Sequence, residues 1–194
     1  MKIFFIIFIL FFSFNLVADD ISDFEIEGIS INDSLLDYME KDKIISMIKL
    51  TRSMYDYLSE DFGEVYLYGE FNSYDYIAFM VKPTDLSYKI YQIKGVKIFN
   101  NNINECYNLR TKINNEFSSL LNEVEIFDER SDFYKIDPSG KSYKETTFFQ
   151  FISGDAIRVE CTIIDKKIRE ENNYDQGLTV VLSKKIVIDW LRNY

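Results

Sequence analysis

The stretch SYKETTFFQFISGDAIRVECTII, residues 142–164, decides the fold class. Two runs rich in aromatic and β-branched residues flank the dipeptide Ser-Gly at 153–154, which is a typical hairpin turn signal. In the second run, Val159, Cys161 and Ile163 alternate with polar or charged residues, which is the period of a strand that buries one face. The stretch therefore predicts two antiparallel strands that share one buried face.

Outward from this hairpin, the chain repeats the same kinds of pattern in both directions. An amphipathic helix is predicted at 103–124, where apolar residues recur at steps of three and four. Alternation, apolar periodicity and turn signals predict the other elements: strands at 64–70, 75–82, 88–99 and 176–183, helical segments over much of 34–59, and a last short helix over 186–191.

These elements predict an α+β fold with a mainly antiparallel sheet of about six strands and helices on one face. A helix followed by three strands occurs twice along the chain, which suggests two helix-plus-three-strand halves. No spacer rich in Pro, Gly or Ser divides the chain, and its two prolines are Pro83 and Pro138. We therefore expect a single domain over residues 19–194.

Residues 1–18 are typical of a secretory signal peptide. Lys2 is the only charge before Asp19, and the apolar run after Lys2 ends at the small residue Ala18. That run has about 15 residues, fewer than the roughly 20 that a membrane-spanning helix needs. We expect cleavage between Ala18 and Asp19, a periplasmic or secreted protein, and no stable membrane insertion of the mature chain. The alternative is a retained amino-terminal anchor.

Charge and composition exclude several classes of function. The net charge is −10, and removal of Lys2 with the signal peptide makes it −11. Nucleic acid is therefore a disfavoured partner, because phosphate binding needs clustered Lys and Arg. The chain has no His, which excludes Ser-His-Asp and Cys-His catalysis and removes the commonest zinc ligand. The acidic loop at 169–177 lacks the EF-hand spacing. We expect no metal and no cofactor.

The two cysteines are predicted to form a disulfide. Cys106 lies on the apolar stripe of the helix at 103–124, and Cys161 lies on the inward face of its strand. Both side chains should therefore point into the layer between helix and sheet. In an oxidising compartment, a pair placed in this way is more often bridged than free. The alternative is two buried apolar cysteines.

Three segments carry a resemblance to a known family: EGISINDSLLDYM at 27–39, KGVKIFNNNINECYN at 94–108 and FISGDAIRVECT at 151–162. In this order and at these spacings, they resemble small exported proteins of marine alphaproteobacteria, a family without an assigned activity. The resemblance implies export and a shared fold. It carries over no catalytic residue.

One candidate binding surface is aromatic. In the strand at 64–70, Tyr66 and Tyr68 alternate with aliphatic residues and should share one face, and Tyr76 on the next strand is a third candidate. A tyrosine-lined sheet face suits a sugar, a peptide or a protein, because Tyr combines a flat apolar body with a polar tip. The alternative is that these tyrosines reflect β-propensity alone.

A candidate catalytic pair is Arg110 and Glu145. Arg110 interrupts the apolar stripe of its helix, and Glu145 shares strand phase with inward residues, so the two could form an internal ion pair or the floor of a cleft. The alternative places Arg110 at the helix edge and Glu145 beyond the covered sheet. The acids Glu25, Glu27 and Glu160 alternate outward with apolar residues, and an exposed carboxylate is a poor general acid near neutral pH.

The sequence as a whole favours an exported, non-catalytic domain that binds an unknown protein or small ligand outside the cytoplasm. The alternative function is a carboxylate-dependent periplasmic hydrolase that uses Glu145 and Arg110 as catalytic residues. An enzyme should show a deep pocket that holds at least two carboxylates with shifted pKa values, whereas a binding domain can show an open surface.

Overall fold

The computed structural model describes residues 20–55, 58 and 61–193. The predicted signal peptide and its cleavage site between Ala18 and Asp19 lie outside these residues. Within the described ranges, no helix combines the length and the apolar character that crossing a membrane requires.

The described chain contains two 3₁₀ helices, four α-helices and nine strands. Two 3₁₀ helices span Ile21–Asp23 and Leu35–Asp37, and the α-helices are α1 (Lys41–Met54), α2 (Ile103–Leu120), α3 (Lys166–Asn172) and α4 (Lys185–Arg192). The strands are β1 (Glu25–Ile26), β2 (Ile29–Ser30), β3 (Gly63–Leu67), β4 (Tyr76–Val81), β5 (Ile90–Ile98), β6 (Glu125–Asp132), β7 (Tyr143–Gln150), β8 (Ala156–Ile163) and β9 (Gly177–Ser183).

The predicted hairpin and the long amphipathic helix are both present. Strands β7 and β8 pair antiparallel, and Gly154 in the turn between them has a φ of +86°, a conformation that Gly adopts without a steric penalty. Helix α2 begins after Asn102, whose side chain accepts a hydrogen bond from the backbone N–H of Asn104 at 3.2 Å. This is the usual way to satisfy a free donor at a helix start.

Seven strands form one sheet in the order β3-β4-β5-β9-β8-β7-β6. Every neighbouring pair in it is antiparallel, and β1 and β2 form a separate two-stranded sheet. The fold class is therefore α+β. The main sheet has seven strands, not the predicted number of about six, and β6 is the strand that the sequence patterns do not reveal.

Strand β6 escapes prediction because it lies at an edge of the sheet. Its residues are all exposed or half-buried, so they do not alternate between apolar and polar types. Charged residues suit such an edge, because they discourage pairing with another chain.

The second half of the fold is therefore α2 with β6, β7 and β8. Strand β9 lies between the two halves, paired with β5 and β8.

The helices lie on both faces of the sheet, which corrects the prediction of one covered face. Ile44 of α1 packs in a main core with Val65 and Phe79 of the sheet. Met80, which follows Phe79 and therefore points to the opposite face, packs instead with Val187 of α4 in a second, smaller core. Helices α1 and α2 thus cover one face of the sheet, and α4 covers part of the other.

The disulfide between Cys106 of α2 and Cys161 of β8 confirms the sequence prediction. The two Cα atoms lie 6.1 Å apart, and both residues are fully buried in the main core. The bridge therefore fixes α2 to the sheet at a strand near its centre.

Replacing both cysteines with Ala is expected to lower the free energy of unfolding by about 4 kcal/mol, because the unfolded chain regains the freedom that a closed loop of this length removes. Urea unfolding of the oxidised wild type and of the double variant measures the difference. A reductant should destabilise the wild type and leave the double variant unchanged. A loss below about 1 kcal/mol would show that the bridge contributes little.

Candidate functional site

The sheet face that carries α4 is only partly covered, and its open part forms a long trough. Three adjacent depressions make up this trough, with volumes of about 280, 410 and 420 Å³. The first, the α4 end, shares Lys144, Arg158 and Leu191 with the second, the trough centre. The centre shares Tyr66 and Tyr76 with the third, the tyrosine end. The trough thus crosses the sheet from one side to the other.

Five charged side chains line the trough centre, and we call them the central charge cluster. They come from four different strands. For every member except Lys144, an adjacent residue in the sequence belongs to the main core on the opposite face. Strand alternation therefore places the cluster on the open face. Its members are Glu64 of β3, Lys94 of β5, Lys144 of β7, and Arg158 and Glu160 of β8.

Glu64 is buried at the β3 side of the cluster, with only 2% of its side chain exposed. Lys94 Nζ lies 2.6 Å from its Oε1 atom, and the Tyr66 hydroxyl donates a hydrogen bond to its Oε2 atom at 3.1 Å. Each carboxylate oxygen therefore has a donor. A buried carboxylate requires this, because an unpaired buried charge is costly.

Glu160 is the second buried carboxylate, with 9% of its side chain exposed. Arg158 Nη1 lies 3.2 Å from its Oε1 atom, and Lys144 Nζ lies 3.5 Å from the same atom. Burial acts to raise the pKa of Glu160, but the positive charges of Arg158, Lys144 and Lys94 outweigh that effect and hold the pKa below its ordinary value. Glu160 is therefore ionised at neutral pH.

The three candidate tyrosines meet at the tyrosine end of the trough. Their ring centroids are separated by 6.3 Å between Tyr66 and Tyr68, 5.9 Å between Tyr66 and Tyr76, and 5.6 Å between Tyr68 and Tyr76. Burial raises the pKa of Tyr76 to about 12, so its hydroxyl stays protonated at neutral pH. Tyr68 is 66% exposed and forms the outer rim. Their role in binding stays a prediction.

Arg110 and Glu145 also meet, but on the other face of the sheet, beneath α2. Arg110 Nη1 lies 3.5 Å from Glu145 Oε2, and its Nη2 atom lies 2.9 Å from Asp128 Oδ1 and donates to Thr147 Oγ1 at 2.8 Å. The guanidinium therefore ties α2 to β6 and β7, and the ion pair between Arg110 and Glu145 is present but only partly buried. Neither Arg110 nor Glu145 lines the trough, and their catalytic roles stay a prediction.

The exposure of Glu160 corrects the sequence interpretation. It does point away from the helix-covered core, as its alternation indicates, but only 7% of the residue is exposed. The reason is that neighbouring strands supply side chains that surround it on the open face. The signal that could have revealed the cluster is the presence of both charge signs within the central strands, in Lys94, Arg158 and Glu160.

The two buried carboxylates of the trough centre, Glu64 and Glu160, are engaged by cations. In the part of the chain that the structure describes, no three His, Cys, Asp or Glu side chains are grouped so that they could hold a metal ion. The arrangement is suited to binding a polar or charged group between side chains that are already held in place.

Replacing Glu160 with Gln is expected to lower the free energy of unfolding at pH 7 by about 2 kcal/mol, because two partly buried cations lose their counter-charge. The pKa of Glu160 is lowered in the folded state, so its charge stabilises the fold above the ordinary Glu pKa of about 4.3. That stabilisation disappears as the pH falls through the lowered value. The difference between wild type and variant should therefore shrink in acid.

Urea unfolding of both proteins at pH 7 and in acid measures this difference. Glu116→Gln is the matched control, because Glu116 is an exposed acid on α2 with a single loose ion pair, and its loss should change stability by less than about 0.5 kcal/mol. Equal effects of the two substitutions at pH 7 would contradict the account of Glu160.

Comparisons with known proteins gave no match. No protein-family model matches the chain, no curated protein matches it, and no solved structure matches it. The residues of the trough are therefore the basis for a functional proposal.

Proposed function

We propose that the mature chain is an exported, non-catalytic domain that binds a small ligand in the trough. The observation that carries this proposal is the central charge cluster, which lies on the part of the sheet face that α4 leaves open. Removing charges from water costs free energy, and well-packed apolar residues often stabilise a fold as well as buried ion pairs do. Because stability does not require such a cluster, its presence is expected to reflect a requirement of function.

The shape of the trough supports a small ligand. Its centre has a volume of about 410 Å³, within the range of sites for small molecules. The floor there is apolar, with Ala78, Met80, Val96 and Val181 between the charged side chains. Small-molecule sites typically combine such a floor with a few fixed polar groups. The tyrosines at one end add flat apolar surfaces that can stack on a ring.

A non-catalytic role agrees with the state of the carboxylates. Glu64 and Glu160 each form ion pairs with basic side chains of the cluster. The lowered pKa of Glu160 makes it a poor proton donor at neutral pH, because a general acid works best with a pKa near the working pH. The cluster is therefore better suited to holding a ligand than to cleaving one.

Export is proposed from two features of the chain. The buried disulfide between Cys106 and Cys161 is of the kind that persists in oxidising compartments and is rare in the cytosol. The amino-terminal sequence has the charged start, the short apolar run and the small exit residue of a signal peptide. We therefore place the binding activity in the periplasm or outside the cell.

A fragment screen by two-dimensional amide NMR tests the proposal, with sugars, small peptides and aromatic acids as the probes. At least one probe class should shift amides of β3, β4, β5, β7, β8 and β9, the strands that line the trough centre. Tyr68→Ala should weaken that binding by about fivefold, which corresponds to about 1 kcal/mol for an aromatic contact.

Tyr134→Ala is the matched control for this experiment. Tyr134 is exposed to a similar extent, 61% against 66% for Tyr68, and it does not line the trough. Its loss should leave binding unchanged. Shifts that map to other surfaces, or no shifts at millimolar probe concentrations, would contradict the proposal.

A further inference from the structure

The charges that line the trough are distributed unevenly along it. At the α4 end, three cations, Lys144, Arg158 and Arg192, stand against two carboxylates, because Glu129 lines this end and Glu160 pairs with both Lys144 and Arg158. At the centre, Lys94 pairs with Glu64, and the lining of the tyrosine end has one acid, Asp175, and no cation. In a chain with a net charge of −10, the α4 end is a local positive site.

The cations at the α4 end have donors that no carboxylate engages. Arg158 and Lys144 share the same oxygen of Glu160, at 3.2 and 3.5 Å. The Nε atom of Arg158 is buried without a hydrogen-bond partner. Arg192, on the last turn of α4, is exposed and has no ion-pair partner among the described residues. One carboxylate shared by two cations leaves an excess of positive charge that an anionic ligand can neutralise.

The opposite end of the trough is suited to an apolar body. Besides the three tyrosines, α1 contributes Met47, Leu50 and Met54 to its lining. Between Tyr76 on β4 and Arg158 on β8 lie three strand-to-strand steps. At about 4.8 Å per step, the aromatic and the cationic sites are roughly 14 Å apart. A ligand that contacts both sites needs an extended shape with different chemistry at its two ends.

We propose that the trough binds an amphipathic anion. Its carboxylate or other oxyanion group lies at the α4 end, in contact with Arg158, Arg192 and Lys144, and a flat ring system extends toward Tyr66 and Tyr76. This inference rests on the proposed function, because it names the ligand class of the same trough.

Fluorescence titration with 1-pyrenebutyrate and with 1-pyrenebutanol tests the ligand class, because the two probes share a ring and a chain and differ in charge. The full mature chain should bind the anion at least about tenfold more tightly than the alcohol at low ionic strength. That preference should shrink as NaCl is added, since salt screens the partly exposed cations.

Charge-removing variants locate the anion. Arg192→Gln removes an exposed cation without breaking an ion pair, and Lys144→Gln removes one of the two partners of Glu160. Each should reduce the preference for the anion to about threefold or less. Lys112→Gln is the matched control, because Lys112 is exposed on α2 and lies outside the trough, and the preference should not change.

The other outcomes separate this inference from the proposed function. Equal binding of the anion and the alcohol, weakened by Tyr68→Ala, would overturn the anionic ligand class and leave trough binding in place. A preference for the anion that survives in both Arg192→Gln and Lys144→Gln would overturn the placement at the α4 end. If neither probe binds, this inference is overturned, and the fragment screen alone decides the proposed function.

Discussion

The two-residue period of strand β8 is the constraint that divides the molecule into a core side and a trough side. Cys161 and Val159 point into the main core, and the residues between and beside them, Glu160 and Arg158, point into the trough. A shift of one residue in the register would exchange the two sets. The disulfide to Cys106 prevents that exchange, so the same bond that stabilises the core also fixes which charges face the trough.

The two faces of the sheet differ in how their side chains are stabilised. On the core side, buried aliphatic and aromatic residues supply the favourable free energy, which grows with the apolar area that is removed from water. On the trough side, the two buried carboxylates depend on cations from β5, β7 and β8. The net contribution of such pairs to stability is small, because desolvation offsets attraction. These ion pairs instead hold the polar groups of the trough in fixed positions, as a binding site requires.

Local patterns predict six of the seven strands of the main sheet, the long helix and the disulfide, because each of these follows from periodicity within a short segment. The order of the strands does not follow from it, and the central charge cluster depends on that order. Lys94 reaches Glu64 across 30 positions of sequence and Lys144 reaches Glu160 across 16. The alternation of residues along β8 correctly predicts that the Glu160 side chain points away from the main core. It wrongly predicts that this side chain is exposed.

Two other features escape prediction for related reasons. Strand β6 lies at the sheet edge and has no buried face to impose a pattern. Helix α4 is strongly amphipathic, but amphipathicity shows only that one side of a helix is buried, so its sequence does not reveal which face of the sheet it covers. Met80 beside Phe79 shows that β4 is apolar on both faces, and this is the local sign that a helix packs on each.

The central claim is that the trough charges serve binding and are not needed for the fold. The most direct test replaces Glu160 and its two ion-pair partners in one chain, as Lys144→Met, Arg158→Leu and Glu160→Met. The free energy of unfolding of this triple variant is then measured in urea. The account predicts a value within about 1 kcal/mol of wild type, or higher, because apolar side chains then replace a buried ion triad. A loss of about 3 kcal/mol or more would contradict it, because the cluster would then be part of what holds the sheet together.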